Sequence, residues 1–147
     1  MAVLSSEEAE YIFSLPKRPV VGTIQWETGE GPFLNLVVPI RCDDGTVLEI
    51  RGWYNPKTGK FGLSLLHAGV YPIRRWDKKR GHRDPVTKQT LDGPHKHYHH
   101  ENFGDSGAYL TDDIDPQDVN RGLRDFLNEC NVNLGSVVIQ PLLVQGV

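Results

Sequence analysis

The sequence predicts an α+β fold: an antiparallel β-sheet meander of about five to seven strands, with a short N-terminal helix and a longer C-terminal helix packed on one face. Two observations support this prediction. Short segments between residues 20 and 76 alternate apolar and polar residues and are separated by turn residues. Residues 116–130 instead repeat apolar residues at the spacing of an amphipathic helix. Because 147 residues is close to the usual size of one domain, we expect a single domain over residues 1–147.

The first half of the chain contains the N-terminal helix and five expected strands. Ser5 and Glu8 have the spacing of a capping box, and the helix, residues 6–15, ends before Pro16. The turn residues 43–45 favour a hairpin between two of the strands. The strands are expected at residues 20–27, 33–41, 46–54, 61–67 and 70–76.

The middle of the second half is less regular. Residues 77–93 have few apolar side chains and are expected to form a long loop, and loops of this length in compact domains are often functional. Residues 94–101 are expected to be extended. Residues 102–113 are rich in turn residues.

The C-terminal helix is the clearest element in the chain. Asp115 is its expected N-cap and Pro116 its first residue. We expect its apolar side to lie across the sheet, because the apolar residues recur at helical spacing. They are Val119, Leu123, Phe126, Leu127 and Cys130. The pattern over residues 137–144 fits either a last strand or a packed tail.

The composition and the start of the chain exclude several classes of protein. Hydrophobic residues make up 38% and charged residues 24%, which is typical of a folded globular protein. No apolar run approaches the ~18 residues of a membrane span, and the first residues carry no basic segment. We therefore expect a cytoplasmic protein with no membrane partner. Cys42 and Cys130 are too few for a disulfide scaffold, so we expect two free, buried thiols.

Basic residues are concentrated in residues 73–100, which we call the basic segment. It contains eight basic and three acidic residues, a net charge of +5, whereas the rest of the chain carries −8. Five of the six histidines also lie in this segment. Such local asymmetry indicates an anion-binding site within an acidic chain, and the alternative is a solvated basic loop.

A histidine-rich stretch, residues 93–101, dominates the functional interpretation. If residues 94–101 form a strand, alternate residues project to the same face. One face would then carry His95, His97, His99 and Glu101. The other would carry Lys96, Tyr98 and His100. Imidazole is the side chain that exchanges a proton near neutral pH, so this strand is a candidate for acid–base chemistry.

Three uses of these histidines compete. The first is general acid–base catalysis on a phosphodiester, with nearby cations stabilising the phosphate. The second is metal binding, for which the ligands would be His95, His97 and Glu101. The third is a structural or solvated cluster. We expect catalysis without a metal or other cofactor. The cations that suit a phosphate are Arg74, Arg75, Lys79, Arg80, Arg83 and Lys96, with Lys78 beside them.

Several short pieces of the chain, mainly within residues 73–130, match a family pattern. They are Leu15-Pro16-Lys17-Arg18, Arg75-Trp76-Asp77, His82, Gly93-Pro94-His95-Lys96-His97 and Leu123-Arg124-Asp125-Phe126-Leu127. In these pieces the chain resembles the TumE-type toxins of bacterial toxin–antitoxin loci and a related uncharacterised bacterial family. The resemblance implies a toxin-like activity on RNA.

The resemblance also selects candidate site residues. It points to His95, His97 and Asp77 as catalytic, with His82 as a further catalytic candidate, and to Arg75 as a substrate contact. Asp77 could orient a histidine, or it could be a turn residue at a strand end. Arg75 could hold a phosphate or form a surface ion pair. Tyr98 could stack on a base or face the core.

Two functions of different classes follow as hypotheses. The first is a small toxin-like endoribonuclease that uses histidine acid–base catalysis, with RNA as substrate and a cognate antitoxin or another protein as partner. The second is a non-enzymatic inhibitor from a phage or mobile element that binds nucleic acid or a protein through the basic histidine-rich segment. Histidine-to-alanine changes would abolish the first activity and spare the second.

Overall fold

The structure is a computed structural model that describes residues 4–77, 80–83, 90–92, 95–100, 104–110 and 114–143. Two helices and twelve strands lie in these ranges. The helices are α1 (Ser6–Ser14) and α2 (Val119–Glu129). The strands are β1 (Lys17–Pro19), β2 (Thr23–Ile24), β3 (Glu27–Thr28), β4 (Leu34–Cys42), β5 (Val47–Tyr54), β6 (Phe61–His67), β7 (Tyr71–Asp77), β8 (Arg80–Arg83), β9 (Thr90–Asp92), β10 (His95–His100), β11 (Gly104–Leu110) and β12 (Val138–Ile139).

The main sheet confirms the predicted antiparallel meander and the α+β class. Its strand order is β1-β4-β5-β6-β7-β10-β11, and β3 also pairs with β4. Every pairing along this path is antiparallel. Two short ribbons lie beside it: β12 pairs with β2 in parallel, and β8 pairs with β9.

One face of the sheet carries the core, and we call it the covered face. Val38 of β4 lies opposite Ile50 of β5, which lies opposite Leu65 of β6, and all three are buried. The helices pack on this side. A Cβ placed on Gly122 in α2 would lie 2.5 Å from the Phe61 ring, so the helix backbone is in direct contact with β6. Close approach of this kind is a reason for glycine inside a helix.

The opposite side, the open face, carries the residues that alternate with the core. On β4 and β5 it includes Val37, which is 57% exposed, and Arg51, which lies opposite Val37. Period-two alternation places one set of residues under the helices and leaves the other set on the open face.

The helix starts show what capping chemistry decides. Ser5 is the N-cap of α1, and its hydroxyl accepts a hydrogen bond of 3.0 Å from the Glu8 amide, as the capping box predicts. The predicted N-cap of α2, Asp115, is wrong. Asp118 caps the helix, and the Asp115 carboxylate accepts from the Gln117 and Asp118 amides in the turn before it. Both aspartates satisfy free amides, and the one nearer the apolar stripe begins the helix.

Several other predicted boundaries are corrected by strand pairing. Residues 77–93 were expected as a loop but contain β8 and β9. Among the described strands, these two pair only with each other, so they form without the alternating apolar residues of a strand that covers the core. Residues 102–113, expected as turns, contain β11, which pairs with β10 through its backbone. Residues 20–27 are divided between β2 and β3, because the two halves have different partners. The 137–144 region holds the short strand β12.

The two cysteines agree with a further expectation. Cys42 and Cys130 are free and buried. In the part of the chain that the structure describes, no helix is both long and apolar enough to span a bilayer.

Candidate functional site

The open face at the end of β7 carries an arginine and a carboxylate two residues apart. Arg75 Nε lies 3.7 Å from Asp77 Oδ2. The Arg75 side chain is 38% exposed, whereas that of Asp77 is 6% exposed. Residues at i and i+2 of a strand share a face, so the two charges form one small ionic site with the cation toward solvent.

The neighbouring strand β10 brings the predicted histidines to this pair. The antiparallel register places His95 opposite Asp77 and His97 opposite Arg75. Directly opposed positions in an antiparallel sheet share a face. Four of the residues singled out in the sequence therefore occupy adjacent positions on two strands, although they are about twenty residues apart in the chain.

On the other side of β7, strands β6 and β5 extend the same two rows. Gly62 lies opposite Asp77, and Ser64 lies opposite Arg75. One strand further, Trp53 lies opposite Gly62 and Arg51 opposite Ser64. Sequence reasoning did not select Trp53 or Arg51 for the site. The period-two pattern of β5 places both residues on one face. Their proximity to the site also depends on the register of β5, β6, β7 and β10, which the sequence does not give.

Two basic residues expected to bind substrate lie on the covered face instead. Arg74 is buried, and its Nη2 donates a hydrogen bond of 2.9 Å to Glu10 Oε1 of α1. Its guanidinium carbon also lies 4.0 Å from the centroid of the Phe13 ring. Lys96 is 2% exposed and donates to Glu129 Oε1 of α2. Because residues of β7 and β10 alternate between faces, these two cations are separated from Arg75 and the histidine positions.

Tyr98 belongs to this second group by register. It lies opposite Arg74, whose side chain is buried beneath α1. The position of Tyr98 is therefore on the covered face, away from Arg75 and Asp77.

Three of the remaining predicted site residues lie in the β8–β9 ribbon. Arg80, His82 and Arg83 are on β8, opposite Asp92, Leu91 and Thr90 of β9. His99 lies in β10, where the pairing with β11 shifts between Tyr98 and His100. Lys79 and Glu101 lie outside the described residues.

The Leu15-Pro16-Lys17-Arg18 segment has a structural role at Lys17. Its Nζ donates hydrogen bonds of 2.7, 2.8 and 2.7 Å to the carbonyl oxygens of Phe13, Leu15 and Cys130. Burial lowers the pKa of Lys17, and the nearby thiols of Cys130 and Cys42 act in the opposite direction. This lysine is therefore part of the packing between the helices and β1.

The residues that the structure describes offer no cluster of metal ligands. Among them, no group of three or more histidine, cysteine, aspartate or glutamate residues could hold a metal ion. The open face brings together a guanidinium, a carboxylate and two histidine positions. This set suits binding of an anion and proton transfer.

The comparisons with known proteins identify the family. Residues 4–132 match the family of unknown function DUF6978, and the chain belongs to this family. No curated protein and no solved structure matches the chain. The matched range contains both helices and the whole main sheet.

Proposed function

We propose that this protein is a toxin-like endoribonuclease that cleaves RNA by histidine general acid–base catalysis without a metal ion. The observation that carries the proposal is the register of β7 with β10, which pairs His97 with Arg75 and His95 with Asp77. The resemblance of the same pieces to the TumE-type toxins supports RNA as the substrate class.

The pairing gives the two histidine positions different electrostatic surroundings. A carboxylate favours the charged imidazolium, so His95, opposite Asp77, is suited to be the general acid. A guanidinium favours the neutral imidazole, so His97, opposite Arg75, is suited to be the general base. Arg75 is also the partly exposed cation that can contact a phosphate.

The proposed reaction is transfer of the phosphodiester to the neighbouring 2′-oxygen. The His97 imidazole takes the proton of the ribose 2′-hydroxyl, and the 2′-oxygen forms a bond to phosphorus. The bond from phosphorus to the 5′-oxygen of the next nucleotide breaks, and His95 gives that oxygen its proton. The products are a 2′,3′-cyclic phosphate and a 5′-hydroxyl. Arg75 stabilises the charge on the phosphoryl oxygens throughout.

Cleavage of labelled RNA by the purified full chain tests this function. His97→Ala and His95→Ala should each remove cleavage and leave RNA binding largely intact, whereas Arg75→Ala should weaken both. EDTA should have no effect. Arg18→Ala is a matched control. Arg18 is an exposed arginine of β1 that pairs with Asp43, and β1 is separated from β7 by β4, β5 and β6 in the sheet. Parental cleavage by both histidine variants would refute the mechanism.

The same variants address the toxin-like role and the alternative. Expression of the parent should arrest bacterial growth, and His97→Ala should not. A cognate antitoxin would then be expected to cover the open face and protect cells. If the histidine variants retain full activity in cells and charge reversal in residues 78–88 removes it, the protein is a binding inhibitor instead.

A further inference from the structure

On the open face beside the proposed site, the indole of Trp53 lies against the backbone of Gly62, where there is no side chain. A Cβ placed on Gly62 would lie 2.4 Å from Trp53 Nε1 and 2.9 Å from its Cε2. The indole therefore lies across the Gly62 backbone and extends from β5 over β6. Any larger residue at position 62 would push the ring away, so this glycine sets the position of the ring.

The indole extends toward Asp77 and the histidine positions. Trp53, Gly62, Asp77 and His95 occupy one row of directly opposed positions across four strands. Since neighbouring strands are about 4.8 Å apart, Trp53 and Asp77 are about 10 Å apart along this row. The indole is therefore next to the proposed site on the open face.

A second aromatic ring packs against the indole, and two cations lie in the adjacent row. Phe33 is 39% exposed, and its ring meets that of Trp53 edge-on at 6.3 Å. In the adjacent row, Arg51 and Arg75 are both partly exposed, and Arg51 also pairs with Glu49. A partly exposed indole with partly exposed guanidinium groups in the next row suits a strand whose bases are unpaired and whose phosphates are anionic.

We propose that Trp53 is the base-stacking surface of this site and that the substrate is therefore single-stranded RNA. The inference rests on the proposed function and specifies its substrate class. In a duplex the bases are stacked on one another, so an indole can receive a base only from an unpaired strand. The arginines contact the phosphates, and Trp53 holds the base next to the cleaved bond.

Binding of a 2′-O-methylated RNA strand tests the proposal separately from cleavage, because its 2′-oxygen has no proton to lose. The strand should quench part of the tryptophan fluorescence of the full chain. Trp53→Ala should weaken binding about 5- to 150-fold and remove the quenching. Trp53→Phe should retain much of the affinity, since a phenyl ring also stacks. A duplex of the same sequence should bind more weakly than the single strand.

A further variant tests whether the position of the Trp53 ring matters, and a second variant is its control. Gly62→Ala keeps Trp53 but displaces its indole, and it should weaken binding with the fold intact by circular dichroism. Trp26→Phe is the matched control. A Cβ placed on Gly52 would lie 2.9 Å from Trp26 Cη2, and the ring centroids of Trp26 and Tyr54 are 6.2 Å apart. Because Trp26 lies on the covered face, its replacement should leave RNA affinity unchanged.

The outcomes test the stacking role of Trp53 separately from the proposed catalysis. Equal binding by Trp53→Ala and the parent, equal binding of duplex and single strand, or no binding of RNA would overturn the stacking role. If the methylated strand binds through Trp53 but unmodified RNA is not cleaved, the proposed catalysis fails and the stacking role stands. If cleavage requires His97 but is unchanged in Trp53→Ala, the stacking role fails and the proposed catalysis stands.

Discussion

The ammonium group of Lys17 donates a hydrogen bond of 2.7 Å to the carbonyl oxygen of Cys130, 113 residues later in the chain. The same group donates to the carbonyl oxygens of Phe13 and Leu15 at the end of α1. Carbonyl groups at helix C-termini lack partners within the helix and carry partial negative charge. One buried side chain therefore satisfies the ends of both helices and fixes them to β1.

Replacement of Lys17 should be among the most destabilising changes in the chain. Lys17→Met keeps the aliphatic length but leaves three carbonyl groups without their charged donor, so we expect a loss of about 2–4 kcal/mol in the free energy of unfolding. Urea denaturation measures it. Arg18→Met is the control, since its pair with Asp43 is exposed, and its effect should stay below about 0.5 kcal/mol. Similar midpoints for the two variants would contradict the role of Lys17.

Stability should fall in alkaline solution because of Cys130. Burial, and then the charge of Glu129, raises the pKa of this thiol from its ordinary value of 9.0 to about 12. Above pH 9 the unfolded chain loses the thiol proton while the folded chain keeps it. The unfolded state then binds fewer protons, so the free energy of unfolding decreases as pH rises toward 12.

Cys130→Ala isolates this contribution. Between pH 8 and pH 10 the parent should lose about 1 kcal/mol more stability than the variant, as measured by urea denaturation at each pH. The comparison concerns the change with pH, because the smaller side chain lowers stability at every pH. Parallel profiles for the two proteins would show that the thiol ionises alike in both states.

The ion pair between Lys96 and Glu129 should prove structural. Lys96→Met leaves the Glu129 carboxylate without its buried partner and should lower stability by about 3 kcal/mol. Adding Glu129→Leu should recover much of that loss, because the unpaired charge is then removed as well. Urea denaturation of the parent, the two single variants and the double variant measures the coupling energy between Lys96 and Glu129. Folded Lys96→Met should bind RNA like the parent, and a selective loss of RNA affinity would instead place Lys96 in the site.

Local patterns predict the meander and the helices well, and they fail where pairing between distant segments decides. Val38 and Ile50 could be assigned to one face because each lies in an alternating strand. β11 could not be found, since Gly104 and Gly107 resemble turn residues and the strand is held by its backbone pairing with β10. No local signal distinguishes a strand of that kind from a loop.

The candidate site shows the same division. The basic segment and the histidine strand are evident in the sequence, but the segment alternates between faces, so its cations are divided. Arg75 lies on the open face and Arg74 beneath α1. A count of charges does not reveal this division, because it depends on the register of β6, β7 and β10. The contribution of Trp53 depends on the same register and on Gly62 one strand away.

The pH dependence of RNA cleavage should report on Asp77. If one histidine acts as base and the other as acid, kcat/KM should have a bell-shaped pH profile centred in the histidine range. The carboxylate of Asp77, opposite His95, favours the protonated acid and so extends activity toward alkaline pH. Asp77→Asn removes that charge and nearly preserves the shape, so the alkaline limb should move to lower pH while the acidic limb stays in place. Movement of the acidic limb instead would make His95 the base and His97 the acid, and an unchanged profile would remove Asp77 from the mechanism.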